Sequence, residues 1–152
     1  MTNKEFVLAM VKEQGKTSAL DLRSRASDMT GTAIIAEETK IPSYDNAKDY
    51  SSWPVGSPCE YDGQVYGLLQ PYNAAHYPDT NPSNTPALWR VLHTTDPAKA
   101  KPYVKPTSTS DMYLKGECMI YTDRLVYRSL RDTVYSPEEY AADWEVVTNG
   151  LP

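Results

Sequence analysis

Two segments of the chain repeat one pattern, and an internal repeat constrains the fold more strongly than any other feature of this sequence. In each copy an aromatic residue is followed by a glycine three residues on, a Val-Tyr pair, a proline-bearing loop and a closing Trp-Xaa-Val. The framework positions are Trp53, Gly56, Tyr66 and Trp89 in the first copy, and Tyr113, Gly116, Tyr127 and Trp144 in the second. The repeat predicts a mainly β protein with a short α-helical N-terminus, in which two small three-stranded antiparallel β modules lie in tandem, joined by a Pro/Lys-rich linker.

Composition divides the chain into five predicted parts. All twelve tyrosines and all three tryptophans lie from Tyr44 onward, which indicates a boundary just before that residue. The parts are a helical N-terminal assembly or attachment segment (1–43), a first β module (44–93), a linker (94–111), a second β module (112–148) and a tail (149–152).

The N-terminal segment is predicted to be helical and to serve assembly. Residues 3–14 have the apolar spacing of a short amphipathic helix, and further helical turns are predicted over 18–26 and 32–38. The apolar face of the first helix is predicted to consist of Phe6, Val7, Met10 and Val11. Because the segment has few large apolar residues, we expect it to pack on a partner, on the β modules or on copies of itself, as in a homo-oligomer such as a trimer.

Turn residues predict a β-hairpin in each copy. Asp62-Gly63 is a dipeptide that strongly favours a tight hairpin, and it is flanked by strand-like Pro58–Tyr61 and Gln64–Leu68. The second hairpin is predicted around Thr122-Asp123-Arg124, between strands over 116–121 and 125–130. The closing strands are predicted over 88–92 and 144–147.

Charge and hydropathy exclude several partners. A net charge of −5 and a pI near 5.0 argue against nucleic acid, since such binding needs a basic patch. No run of 18 apolar residues is present, so we expect no membrane insertion, and the early apolar stretch is too short for a signal peptide. Synthesis in a cytoplasm is therefore expected. Cys59 and Cys118 fall at nearly matching places in the two copies, which favours free thiols over a disulfide.

Catalytic and metal-binding patterns are missing from the sequence. His76 and His93 are the only histidines, and no Cys-His or His-acid pair has zinc spacing. The sequence contains no nucleophile elbow. The acidic pairs Glu37-Glu38 and Glu138-Glu139 are expected to be solvent-exposed surface charges. We therefore expect no enzyme activity, no metal and no cofactor.

Loop aromatics are the candidate ligand contacts. The framework aromatics are expected in the core, whereas the loops over 71–87 and 131–143 differ between the copies and are better placed for contact. The predicted ligand-binding residues are Tyr72, His76, Tyr77, Tyr135 and Tyr140.

Both copies resemble the small chitin-binding-type carbohydrate-binding module. The residues in step with that pattern are Trp53, Gly56, Tyr61, Gly63, Tyr66, Pro82 and Trp89, then Tyr113, Gly116, Tyr121, Tyr127, Pro137 and Trp144. A helical N-terminus followed by such modules is also similar to small virion proteins of tailed bacteriophages and prophages. The resemblance implies a tail or fibre component that is synthesised in the bacterial host cytoplasm and located in the virion. Its implied partners are other virion proteins and a bacterial surface glycan.

One departure from the module limits the expected function. Chitin-binding members carry exposed aromatics after the hairpin, whereas this chain has Gly67–Gln70 and Arg128–Arg131 there. The leading hypothesis is therefore a non-enzymatic virion structural protein that contacts the host surface or other subunits. The alternative is a true carbohydrate-binding module for chitin-like or peptidoglycan-like N-acetylated glycans, and a weaker third is an accessory piece of a polysaccharide hydrolase.

Overall fold

A computed structural model describes residue 3 and residues 16–147. Over these residues the chain is mainly β, with a short helical segment at its N-terminal end and two sheets of three and four strands. The predicted assembly residues Phe6, Val7, Met10 and Val11 lie outside the described residues, as do positions 148–152.

The helical segment consists of short elements that end at residue 40. Helix α1 covers residues 16–25 of the described chain and continues into a 3-10 turn at Ala26–Asp28. Helix α2 spans Gly31–Ala36 and is followed by a 3-10 turn at Glu38–Lys40. The Thr30 side chain caps α2, since its hydroxyl oxygen accepts a hydrogen bond from the Ala33 amide at 3.1 Å. Helical turns were predicted at both places from the sequence.

The helical segment packs on the first sheet. Ile34 and Ile35 of α2 are fully buried with Ala26, against Val65 and Leu92 on the sheet side. Burial of an Ile side chain of this kind contributes about 1.5–3 kcal/mol. The segment was expected to pack on a partner, on the β modules or on copies of itself. In the described residues its buried apolar side chains pack on the first sheet.

The first sheet is a three-stranded antiparallel sheet, as predicted. Strands β1 (Pro58–Tyr61), β2 (Gln64–Leu68) and β3 (Trp89–Val91) pair in the order β1-β2-β3. The hairpin turn has Asp62 at φ +50° and Gly63 at φ +78°. Positive φ at both central residues is the requirement of a type I′ turn, which explains why the Asp-Gly dipeptide located this hairpin in the sequence.

The second sheet differs from the prediction by one strand. It orders β4 (Lys101–Pro102), β5 (Cys118–Ile120), β6 (Val126–Ser129) and β7 (Trp144–Val146). The last three strands are antiparallel, whereas β4 runs parallel to β5. The expectation of three antiparallel strands is therefore wrong for this sheet, because it omitted the strand β4.

The added strand comes from residues 94–111, so a separate linker is not confirmed. Tyr103, directly after β4, packs on the core of the second sheet, while Val104 packs on the core of the first. Gln64 of the first sheet donates a hydrogen bond to the Pro102 carbonyl. The prolines suited an extended connector, but proline is also tolerated on an edge strand, where no ladder donor is needed.

Equivalent backbone hydrogen bonds surround the repeat glycines. The Gly56 amide donates to the Leu68 carbonyl at 2.7 Å, and the Gly116 amide donates to the Ser129 carbonyl at 2.9 Å. The two glycines have φ +93° and +90°, a region that side chains rarely adopt. The repeated glycine is thus explained by the turn that leads into each hairpin.

Candidate binding surfaces

The repeated aromatics lie mostly in the cores of the sheets. Trp89 is 2% exposed and Trp144 is 6% exposed, as expected for residues that close a sheet. Trp53, Tyr66 and Tyr113 are also buried, whereas Tyr127 is partly buried. These side chains stabilise the sheets and offer little surface to a ligand.

Tyr72 belongs to the core, which contradicts its predicted role as a ligand platform. The Trp89 indole Nε1 donates to the Tyr72 hydroxyl at 2.8 Å, and that hydroxyl donates to Tyr44 at 3.5 Å. With the ring packed against Tyr50 and Trp89, its faces are not free for stacking on a sugar. Sequence reasoning missed this because the indole partner lies 17 positions away along the chain.

Tyr77 and His76 are exposed on the same loop. The Tyr77 side chain is 55% exposed, and its ring centroid lies 6.4 Å from that of Tyr72. His76 is exposed, and its Nε2 lies 3.4 Å from the side-chain nitrogen Nδ2 of Asn73. Since Tyr72 is buried, Tyr77 is the exposed ring of this predicted pair.

The structure brings Tyr135 and Tyr140 together on the surface. Their exposed fractions are 50% and 48%, and their ring centroids lie 6.2 Å apart with the planes tilted by 48°. The loop is anchored through main-chain atoms of Tyr135. Its carbonyl accepts a hydrogen bond from Trp144 Nε1 at 3.0 Å, and its amide donates to Thr133 Oγ1 at 3.0 Å.

Two ion pairs flank this tyrosine pair. Lys105 Nζ lies 5.6 Å from the Tyr135 ring centroid and 2.6 Å from Glu139 Oε1. The Arg131 guanidinium lies 5.7 Å from the Tyr140 ring centroid, and its Nε lies 2.7 Å from Asp143 Oδ1. The hydrogen bond from Lys105 lowers the pKa of Glu139 below its ordinary value, so Glu139 is charged at neutral pH.

We call Lys105, Arg131, Tyr135, Glu139 and Tyr140 the tyrosine-pair surface. It combines two half-exposed aromatic rings with two cations, one carboxylate and several hydrogen-bonding groups, and the Arg131 charge is paired with the buried Asp143. Rings of this kind can stack on the apolar face of a sugar or on a protein partner. Their place in a loop that differs between the copies indicated the two tyrosines. The flanking ion pairs join residues 34 and 12 positions apart and had no sequence signal.

A cleft of about 330 Å³ next to the first sheet was not predicted. The half-buried rings of Tyr44 and Tyr61 stand at 89° to each other, with centroids 5.8 Å apart. Its lining residues are Tyr44, Asp45, Asn46, Tyr61, Pro78, Asp79, Thr80 and Asn81. The polar residues 78–81 indicated a loop in the sequence. The contact of this loop with Tyr44 was not predictable, because the Tyr44 hydroxyl donates to the Thr80 carbonyl, 36 positions away, at 3.1 Å.

A larger cavity of about 840 Å³ lies where the helical segment meets both sheets. His93 forms part of its wall and is buried, with its ring stacked 3.8 Å from that of Tyr113. Its Nε2 donates to the Asp111 carbonyl at 2.9 Å. Burial lowers the pKa of His93 to about 4, so the ring is neutral near pH 7. The sequence indicated that His93 lies at the end of a strand, but it did not indicate that the side chain is buried.

Nucleophilic and metal-binding groups do not converge on these surfaces. Cys59 and Cys118 are buried free thiols, as expected, and burial raises the pKa of Cys59 to about 12. Among the described residues no group of three or more His, Cys, Asp and Glu side chains could hold a metal ion. The described helices are also too short and too polar to span a bilayer.

Comparison with known proteins does not assign a family. A scan against protein-family models finds no match. A search of the curated proteins gives no significant match either.

Proposed function

We propose that this protein is a non-enzymatic structural component of a tailed-phage virion, associated with the tail or fibre. Its N-terminal segment attaches it to other virion proteins, and two tandem β modules contact the host surface or neighbouring subunits. The observation that carries the binding role is the exposed Tyr135 and Tyr140 pair, since rings half open to solvent are available to a partner.

The division of labour between the repeat and its loops supports this proposal. Residues shared by the copies, such as Trp89 and Trp144, are buried and hold the sheets. Residues that differ between the copies include the exposed Tyr77, Tyr135 and Tyr140. A scaffold that is repeated while its loops vary is typical of a binding protein. The virion location rests on the resemblance of the whole arrangement to phage proteins.

Antibody labelling of purified particles tests the virion role. We expect the protein to co-purify with intact particles at a constant ratio to the major tail protein, and gold-labelled antibody to mark the tail or fibre. Particles that lack the protein after density-gradient purification would contradict the proposal. Labelling restricted to the head would contradict the tail or fibre assignment.

A second candidate function is binding of N-acetylated glycans through the tyrosine-pair surface. Arg131, Lys105 and Glu139 place hydrogen-bonding groups beside the two rings, an arrangement that suits sugar hydroxyl and acetamido groups. The usual aromatic platform of chitin-binding modules is absent, so this surface would replace it.

Retention on insoluble peptidoglycan and on chitin tests the glycan function. We expect wild-type protein to be retained and the Tyr135→Ala/Tyr140→Ala variant to bind at least about tenfold more weakly. Because main-chain atoms of Tyr135 make its anchoring bonds, removal of the rings leaves those bonds in place. Tyr77→Ala is the matched control, since it also removes a half-exposed ring. Equal retention of all variants, or no retention of wild type, would exclude this form of binding.

A further inference from the structure

A basic groove lies between α1 and the segment that follows α2. Its volume is about 480 Å³, and none of the lining residues within 16–147 is acidic. The lining residues are Lys16, Ala19, Leu20, Arg23, Thr39, Lys40, Ile41, Pro42 and Lys48. We call this the basic groove. Four cations on one groove are notable in a chain whose net charge is −5.

Two of the four cations are held in place by the same indole. The Arg23 guanidinium lies 3.6 Å from the Trp53 ring centroid, and Lys48 Nζ lies 5.0 Å from it. Trp53 is 5% exposed and is part of the core of the first sheet. Cations positioned over a rigid ring lose less side-chain freedom when a ligand binds than free lysines would.

The charges of the basic groove are only partly neutralised. Lys40 forms an ion pair with Glu37 at 2.8 Å. Within residues 16–147, Lys16, Arg23 and Lys48 have no ion pair with a carboxylate. The Nε of Arg23 is also buried without a hydrogen-bond acceptor in the described structure.

Apolar side chains also line the groove, and they limit the kinds of ligand that can occupy it. Ala19, Leu20, Ile41 and Pro42 line it, and Leu20 is 58% exposed. A fully hydrated polyphosphate would leave these side chains uncovered. A peptide that carries both carboxylates and aliphatic side chains would pair with the cations and also bury these apolar side chains.

We propose that the basic groove is a docking site for an acidic peptide segment of a partner protein, with carboxylates meeting Lys16, Arg23 and Lys48 and an apolar side chain covering Leu20. This inference uses none of the residues of the tyrosine-pair surface. Either proposal can therefore fail without the other.

Selection from a random twelve-residue peptide library tests the docking site with full-length protein as bait. We expect the enriched peptides to combine Asp or Glu with Leu, Ile, Val or Phe. A synthetic peptide of the most enriched sequence is then titrated against Lys16→Glu/Lys48→Glu, for which we expect at least about tenfold weaker binding. The control is Lys115→Glu/Arg124→Glu, which changes the net charge equally at exposed sites outside the groove.

Two further measurements separate a peptide site from a general anion site. Leu20→Ser is expected to weaken peptide binding at least threefold because the aliphatic contact is lost, while its far-UV circular dichroism stays unchanged. Polyphosphate is expected to compete poorly. The proposal is overturned if no peptides are enriched, if the groove and control variants lose affinity equally, or if polyphosphate displaces the peptide and Leu20→Ser has no effect.

Discussion

The Trp89 indole N–H donates a hydrogen bond to the Tyr72 hydroxyl at 2.8 Å inside the core of the first sheet. This bond joins the closing strand β3 to the loop that follows β2. The Tyr72 hydroxyl donates to the Tyr44 hydroxyl, and the Tyr44 hydroxyl donates to the Thr80 carbonyl. One buried pair therefore connects the repeated framework with the variable loop.

Removal of the Tyr72 hydroxyl should destabilise the protein, although only one oxygen atom is lost. Tyr72→Phe leaves the Trp89 indole donor buried without an acceptor, which costs about 1–3 kcal/mol of unfolding free energy. Tyr77→Phe removes a hydroxyl from an exposed ring and should change stability by less than about 0.5 kcal/mol. Urea unfolding followed by tryptophan fluorescence measures both values. Equal effects of the two substitutions would show that the Tyr72 bond does not contribute.

Gly31→Ala should destabilise the contact between α2 and the segment that follows β3. An added Cβ would clash with the main-chain carbonyl oxygen of His93, which can move only with the backbone that follows β3. We expect a loss of about 1–3 kcal/mol. Gly67→Ala is the control, since the nearest atom there is Leu92 Cδ2 at 3.3 Å, a side-chain atom that can yield. Thermal unfolding compares them, and a larger loss for Gly67→Ala would contradict the packing described at Gly31.

His93 should make stability depend on pH between about 6.5 and 4. Burial lowers its pKa from 6.5 to about 4 in the folded state. Above pH 6.5 the imidazole is neutral in both states, so its full contribution to stability is present. As the pH falls to about 4, the unfolded chain takes up a proton that the folded chain resists, and up to roughly 3 kcal/mol is lost.

His93→Gln isolates this effect, because glutamine keeps a donor for the Asp111 carbonyl but does not titrate. We expect the unfolding free energy of the variant to fall less than that of wild type between pH 6.5 and 4, measured in urea at fixed ionic strength. The carboxylates titrate in both proteins and cancel in the comparison. Parallel pH profiles would show that His93 is accessible to protons in the folded state.

Both thiols should be unreactive in the folded protein. Cys59 is fully buried and Cys118 is 2% exposed, and burial raises the pKa of each thiol. Since the thiolate is the reactive form, we expect iodoacetamide to label both at least about a hundredfold more slowly at pH 8 than in urea. Mass spectrometry of labelled peptides resolves the two sites. Rapid labelling of Cys118 alone would show that the second sheet opens locally.

Local signals in the sequence located the hairpins but not the contacts between segments. Asp62-Gly63 predicted the first turn because backbone geometry at two adjacent positions is a local property. The strand β4 was not predicted, because pairing of Lys101 with Met119 depends on a partner 18 positions away. The same reason explains the wrong role expected for Tyr72, whose burial depends on Trp89.

The amino-acid sequence by itself determined the mainly β class, the helical turns before residue 41, and the repeated framework of glycines and aromatics. These features follow from periodicity and turn chemistry, which act over a few residues. Only the tertiary structure decided which tyrosines are exposed, which cations share Trp53, and that residues 94–111 pack against both sheets. Such outcomes depend on the burial of apolar surface between distant segments, a cooperative property that no short stretch of sequence encodes.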